Sequence, residues 1–164
     1  MNWPDDAVIL ARAVPFVEQW EGFRAAPYLC PAGVASIGYG STRYADGRAV
    51  RLDDPPLTKA GAQTLLRDCL ADLLTLLKRR LTRPPGVNQA AAMLSLAYNI
   101  GWGAFASSML VRLFNEGGHA GDAFLAWDKM HRNGRAVAIA GLARRRAAEK
   151  ALFETMDPAP PRKA

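Results

Sequence analysis

Glu21-Gly22-Phe23-Arg24-Ala25-Ala26-Pro27-Tyr28-Leu29-Cys30-Pro31-Ala32-Gly33-Val34-Ala35-Ser36-Ile37-Gly38-Tyr39-Gly40 is the stretch where the helical character of the chain breaks. Upstream, Asp5 and Asp6 can cap and charge a first helix running through Gln19 or Trp20, with Pro15 kinking it or delaying its start. After Glu21-Gly22 the pattern changes. From residue 27 to residue 56 the chain is rich in Gly, Pro, Ser and Asp, with only short apolar pieces. Residues 34–40 and 48–52 read as short strands, and Asp46-Gly47 between them is a hairpin turn signal. The expectation is a small antiparallel sheet.

Beyond this stretch the chain reads as helices. Thr58 caps a long one, on which Ala62, Leu65, Leu66, Cys69, Leu70, Leu73, Leu77 and Leu81 recur at helical spacing. Pro84-Pro85-Gly86 breaks it, and it is long enough to bridge two lobes. Residues 87–100 are apolar on nearly every face, the pattern of a buried central helix, and Gly101-Trp102-Gly103 ends it. Ser107 or Ser108 opens a further helix through Asn115, stopped by Gly117-Gly118. Residues 121–130 and 141–156 read as two more helices, the last with Arg144, Arg145 and Arg146 on its exposed side. The segment from Asp157 to Ala164 reads as a disordered tail.

Composition bounds the function more loosely. The 164 residues suffice for one domain with a real core, and 50% apolar and 22% charged residues are ordinary for a globular protein. A net charge of +6 and a pI near 9.7 suit an anionic partner, whether nucleic acid, a membrane surface or an acidic cell envelope, and equally suit a solvated basic face with no ligand. Cys30 and Cys69 are too few for a disulfide scaffold or a zinc site. His119 and His131 sit twelve residues apart with no Cys nearby, so no metal and no cofactor is expected. The apolar run at residues 7–17 contains Arg12 and Pro15, is too short to span a bilayer, and follows Asp5 and Asp6 in place of the basic start of a signal peptide. Accumulation in the cytoplasm is the expectation; an extracytoplasmic target then requires release by a separate membrane-permeabilising protein.

The residue that carries chemistry is Glu21, flanked by Trp20, Gly22 and Phe23. A carboxyl that loses hydration beside aromatic groups favours its neutral form, and a neutral carboxylic acid is what cleavage of a glycosidic bond needs at the leaving oxygen. A lone Glu at a helix end is more often a capping or surface residue. The spacing around it says more: eight residues separate Glu21 from Cys30, five separate Cys30 from Ser36, and Ser36-Ile37-Gly38-Tyr39-Gly40 closes the segment. This resembles the phage lysozyme family, whose signature is Glu, eight residues, Asp or Cys, five residues, Thr, and an Ile-Gly-x-Gly turn. Gln89-Ala-Ala-Ala-Met-Leu-Ser-Leu-Ala-Tyr-Asn-Ile-Gly101, Phe105-Ala-Ser-Ser-Met-Leu110 and Gly141-Leu-Ala-Arg-Arg-Arg-Ala-Ala-Glu149 resemble the family's later segments, in the family's order.

The resemblance implies an α+β, lysozyme-like fold in one domain over residues 1–156. A small α/β lobe would cover residues 14–57, a connecting helix 58–82 and a helical lobe 86–156, enclosing a groove. It implies hydrolysis of the β-1,4 bond between N-acetylmuramic acid and N-acetylglucosamine in peptidoglycan, in an endolysin serving host cell lysis. Glu21 takes the acid role, Cys30 the position usually held by Asp, and Ser36 that of Thr. Thr42, Tyr98, Asn99 and Ser108 would face or border the groove. As thiolate, Cys30 could help activate water or balance charge on the sugar; as thiol it could only orient that water. Ser36 keeps the hydroxyl of Thr without its rotamer-restricting methyl. Ser41 stands where many relatives carry His.

Outside the motif, Cys30 would read as a small buried hydrophobe and Ser36 as a surface residue of a strand. Cys69 lies on the apolar stripe of the long helix, and Trp102, Phe105 and Trp127 read as core. A Cys30–Cys69 disulfide needs a fold that brings the two together. The Arg triplet can pair with Glu149 at helical spacing or contact anionic envelope phosphate. The chain is expected to be a monomer without a specific nucleic-acid partner. A lytic transglycosylase, which needs one Glu and no water, stands as an alternative, as do a wall-binding protein with a dead site and a basic nucleic-acid binder, although no groove-reading motif is present.

Overall fold

A computed structural model of the chain describes residues 2–132 and 135–157. The Asp5 carboxylate accepts from Ala7 N at 2.7 Å and opens helix α1, Asp6–Glu21. Ile9, Leu10, Ala13 and Val17 of α1 face the core. Pro15, on its exposed side, lies inside the helix without delaying its start. Gly22, at φ +66°, ends it one residue beyond the expected stop, so Glu21 is the last helical residue.

Strand β1, Arg24–Leu29, then pairs antiparallel with β2, Ala35–Gly38, in the register Tyr28↔Ser36 and Leu29↔Ala35. The small antiparallel sheet is present, but its strands differ from those expected. Residues 48–52 contribute only a single bridge, Arg43↔Ala49, around the Asp46-Gly47 turn. The true partner strand, β1, holds Pro27 and begins before the Gly- and Pro-rich segment. Pro27 falls where the register is irregular between Arg24 and Tyr28, and there its missing N–H breaks no ladder bond. β2 ends early because Gly38 (φ +66°) turns the chain against α2; a Cβ there would lie 3.0 Å from the Ala62 methyl.

Helix α2, Lys59–Arg80, is capped by Thr58 Oγ1, which accepts from Gly61 N at 3.0 Å. Leu65 joins Ile37 and Val50 in a small cluster beneath the sheet, whereas Leu66, Leu70, Leu74 and Leu77 enter the main core. One helix thus belongs to both clusters, which is the physical content of the two-lobe bridge. Helix α3, Val87–Ile100, has nine of its ten positions from Asn88 to Ala97 buried, Gln89 being the exception, as its all-round apolar pattern predicts. It packs between α1 and the last helix.

The helical lobe departs in detail from the sequence reading. A short helix, α4 (Trp102–Ala106), follows Gly101, and Ser108 Oγ caps α5 (Met109–Asn115). The expected helix over residues 121–130 is a 3₁₀ helix, Gly121–Trp127, followed by strand β3, Lys129–Arg132, paired with β4, Arg135–Ala138. Helix α6, Ala140–Glu154, closes the lobe. Arg145 and Arg146 do not face solvent as expected: both are buried, and only Arg144 is exposed. Nor does the chain loosen at Asp157, whose carboxylate accepts from Val87 N at 2.6 Å and Asn88 N at 2.7 Å, capping α3. The rest of the expected tail, residues 158–164, lies outside the described residues. No helix among the described residues is long and apolar enough to cross a membrane.

Candidate active site

Glu21 leaves the end of α1 with its side chain 17% exposed, and its Oε1 accepts from Arg145 Nη1 at 2.6 Å. The aromatic setting inferred from Trp20 and Phe23 is therefore incomplete, because the nearest fixed partner of the carboxylate is a guanidinium. Arg145 belongs to a buried network. Its Nε donates to Glu149 Oε1 at 3.1 Å and its Nη2 lies 3.3 Å from both the carbonyl and the hydroxyl oxygens of Ser95. Glu149 Oε1 also accepts from Ser95 Oγ at 2.7 Å and from Arg146 Nη2 at 3.0 Å. Arg146 Nε lies 2.8 Å from Glu149 Oε2 as a charge contact without hydrogen-bond alignment. Burial pushes the Glu149 carboxyl up and the Arg146 guanidinium down, each opposed by the other's charge. Two carboxylates and two guanidinia balance, and that makes the burial tolerable.

The other carboxylate oxygen, Glu21 Oε2, points to Gly40. A Cβ at Gly40 would lie 3.5 Å from it and 4.0 Å from the Tyr28 hydroxyl, and Gly40 holds φ +84°. Backbone without a side chain thus leaves one oxygen of Glu21 open while Arg145 occupies the other.

Cys30 sits at the end of β1 in a tight turn, where Cys30 N donates to Val34 O at 2.9 Å and Gly33 N to Cys30 O at 2.8 Å. The backbone N–H groups of Val34 and Ala32, with the Ser36 hydroxyl, hold the partly exposed Cys30 thiol below its ordinary range. Ser36 is buried in β2, and its Oγ donates to Val34 O at 3.2 Å. Cys30 and Ser36 are thus neighbours on one hairpin. Cys69 shows the opposite behaviour: half-buried on α2, its thiol is pushed up by desolvation. Both cysteines are free.

A groove of about 370 Å³ opens between the sheet lobe and the helical lobe, walled by Gly40, Thr42, Arg43 and Tyr44 on one side and by Asp72, Tyr98 and Trp102 on the other. Tyr98 lines it, but its hydroxyl donates to Tyr39 O at 2.8 Å and lies 3.2 Å from Ser41 Oγ, and burial pushes its ionisation far up. Ser41 in turn meets the Cys69 thiol at 3.8 Å. Thr42 borders the groove with its side chain exposed. Asn99 is exposed on α3 beside Tyr98 but outside the groove lining. Ser108 is buried, with its hydroxyl accepting from Val111 N at 3.4 Å as a helix cap. The structure therefore joins Glu21 to the groove through Gly40 and pairs Cys30 with Ser36, while Ser108 is engaged elsewhere.

The family model described as "Phage lysozyme" matches residues 18–149. The chain belongs to the phage lysozyme family. As a phage lysozyme it is a glycoside hydrolase of the peptidoglycan-degrading kind. It is 35% identical over 149 residues to an endolysin of Acyrthosiphon pisum secondary endosymbiont phage 1, covering 90% of this chain and 98% of that one. Among solved structures it is similar to the endolysin from Escherichia coli O157:H7 phage FAHEc1 (TM-score 0.78, 26% identity, 87% of this chain and 90% of that chain). It is also similar to the muramidase domain of SpmX from Asticaccaulis excentricus (TM-score 0.77, 32% identity, 88% and 95%).

The residue of this phage lysozyme site that sequence reasoning missed is Arg145. Its spacing to Glu149 suggested an ion pair, and that pair is real. Nothing local in the sequence linked it to Glu21, 124 residues away.

Proposed function

We propose that this phage lysozyme hydrolyses the β-1,4 bond between N-acetylmuramic acid and N-acetylglucosamine, with Glu21 as general acid and Cys30 and Ser36 holding the attacking water. The observation that carries this reading is the division of labour at the Glu21 carboxyl: Arg145 anchors Oε1, and Oε2 faces Gly40 at the head of the groove. Oε2 hands its proton to the bridging oxygen as the bond to the anomeric carbon breaks. Water adds to that carbon and gives its proton toward the Cys30 thiolate. Solvent then carries a proton from the Cys30 thiol back to the Glu21 carboxylate, so that the sum is one glycosidic bond and one water exchanged for two hydroxyls. Water entering opposite Glu21 gives inversion.

The placing of Cys30 and Ser36 together on one hairpin favours hydrolysis over transglycosylation, which has no use for groups that hold an attacking water. Thr42, Tyr98 and Asn99 are the sugar contacts in this reading: Tyr98 offers its ring edge, and Asn99 its amide to an N-acetyl group. Ser108, expected to face the groove, caps α5 outside the groove lining and takes no sugar contact in this reading. The protein acts as a monomer, accumulates in the host cytoplasm, reaches the wall after membrane permeabilisation by another protein, and serves cell lysis. Mass spectrometry of fragments released from purified peptidoglycan tests the chemistry. Wild type yields reducing N-acetylmuramic acid ends, and Glu21→Gln yields nothing while unfolding normally. Products ending in 1,6-anhydro sugar, or full release by Glu21→Gln, would overturn the proposal.

A further inference from the structure

The groove that starts at Gly40 and Tyr98 continues to a region whose chemistry the cleavage of a sugar chain does not require. Arg43 stands on the sheet-lobe wall and Asp72 on the α2 wall, with Tyr44, Leu73, Leu76 and Trp102 between them. The Arg43 wall is fixed. Its backbone bridges Ala49, Val50 N donates to the neighbouring Thr42 O at 2.9 Å, and Arg43 Nη1 donates to Gly47 O at 2.9 Å. That last bond holds the guanidinium in place while leaving most of its donors free. Among the described residues, no acid pairs with Arg43, and no base pairs with Asp72, although other arginines of the same loop, Arg48 and Arg51, are matched to Asp54 and Asp53. Asp72 acts on the Cys69 thiol through its charge alone.

A glycan of N-acetylated hexosamines is uncharged along its backbone apart from the lactyl groups, and these are capped as amides wherever a stem peptide is attached. Opposite charges held apart on facing walls of one groove match a ligand carrying a carboxylate and an ammonium together. The stem peptides of peptidoglycan are such ligands: short, free of bulky aromatic groups, rich in carboxylates, and bearing a free amine on their diamino acid. We infer that the Arg43–Asp72 region is a stem-peptide subsite, Arg43 taking a peptide carboxylate and Asp72 the diamino-acid ammonium. This rests on the reading of Glu21 and its groove as the glycan-cleaving site, because the peptide hangs from the muramic acid next to the bond cut. Tyr44 and Trp102 supply the apolar floor along which the peptide's methyl and methylene groups lie.

The test separates peptide recognition from glycan recognition. Glycan strands are prepared intact and, with an amidase, stripped of stem peptides. Binding of both is measured by sedimentation in a Glu21→Gln background, where nothing is cleaved, with Arg43→Gln or Asp72→Asn added. Each addition is expected to weaken binding of intact strands about tenfold and to leave binding of stripped strands within about twofold. Turnover by the corresponding single variants should show the same loss in KM rather than kcat. Both side chains are exposed, so thermal unfolding should match wild type. Equal losses on both substrates, no loss on either, or full recovery of intact-strand binding by the charge swap Arg43→Asp/Asp72→Arg would overturn the inference, the last by showing that the two residues pair with each other. Failure of the wild-type enzyme to cut either substrate would instead sink the glycan-cleaving assignment, and the binding measurement would still read the subsite.

Discussion

Arg145→Met removes the one side chain that joins the proposed acid to the buried charge network. Arg145 is 5% exposed and gives up contacts to Glu21 Oε1 (2.6 Å), Glu149 Oε1 (3.1 Å) and Ser95 (3.3 Å). Breaking a buried pair by deleting one partner costs about 3–5 kcal/mol. Glu149 keeps Arg146 and the Ser95 hydroxyl, and Glu21 is exposed enough to rehydrate, so the low end, about 3 kcal/mol, applies here. For a chain of this length each kcal/mol shifts the unfolding midpoint by about 2–4 °C, so the midpoint should fall by about 6–12 °C. Activity, measured well below both midpoints as turbidity loss of purified peptidoglycan, should fall about 100-fold in kcat, because the Glu21 carboxyl loses its anchor and its aim. Arg145→Lys should lie between, since an ammonium cannot reach Glu21, Glu149 and Ser95 with a planar fork. A methionine variant that melts within about 2 °C of wild type and lyses at full rate would refute both the energetic and the positional reasoning.

Three further outcomes follow from named contacts. Cys30 should be alkylated by iodoacetamide well before Cys69 at neutral pH, its rate rising to half-maximum below the ordinary thiol range and that of Cys69 above it, as read by peptide mass spectrometry; the hydrogen bonds that favour the Cys30 thiolate act as pH rises, whereas burial keeps Cys69 a thiol. Gly40→Ala forces a side chain into a left-handed backbone, costing about 1–2 kcal/mol in a denaturant titration, and sets a methyl against Glu21 Oε2, so activity should fall further than stability accounts for. Asp157→Ala should cost about 1–2 kcal/mol in a denaturant titration by loss of the α3 cap.

The sequence was most legible where periodicity and breakers agree. Thr58, the Leu stripe and Pro84-Pro85 fixed α2 to within a residue or two, and the unbroken apolar run identified α3 as the buried helix. Legibility failed where a local rule met a tertiary exception. Proline is disfavoured within a strand, yet β1 tolerates Pro27 at an irregular register. The apolar residues of the 121–130 segment suggested a helix running to its end, whereas Lys129 and Met130 begin β3. The Arg triplet looked solvated because charge usually is, and only the folded chain brings Glu21 and Ser95 to Arg145. The motif of Glu21, Cys30 and Ser36 was readable as spacing, but spacing carries no information about which oxygen of Glu21 is anchored and which is open.

That last distinction explains why the site needs both lobes. Glu21 ends a helix whose apolar face packs with α3 in the main core, whereas Cys30 and Ser36 belong to a hairpin with its own small cluster. Nothing in either body alone sets the separation between Glu21, the proposed acid, and the Cys30–Ser36 pair proposed to hold water. Three contacts do so from across the interface: α2, shared by both clusters; Tyr98, which donates from α3 to Tyr39 O beside Gly40; and Ser41, which meets both Tyr98 and Cys69. Arg145 then fixes Glu21 from the far end of the sequence. The groove is therefore positioned by polar contacts at its base, between two apolar clusters. Substitutions at Tyr98 or Ser41 should accordingly act on the geometry of catalysis more than on the stability of either lobe.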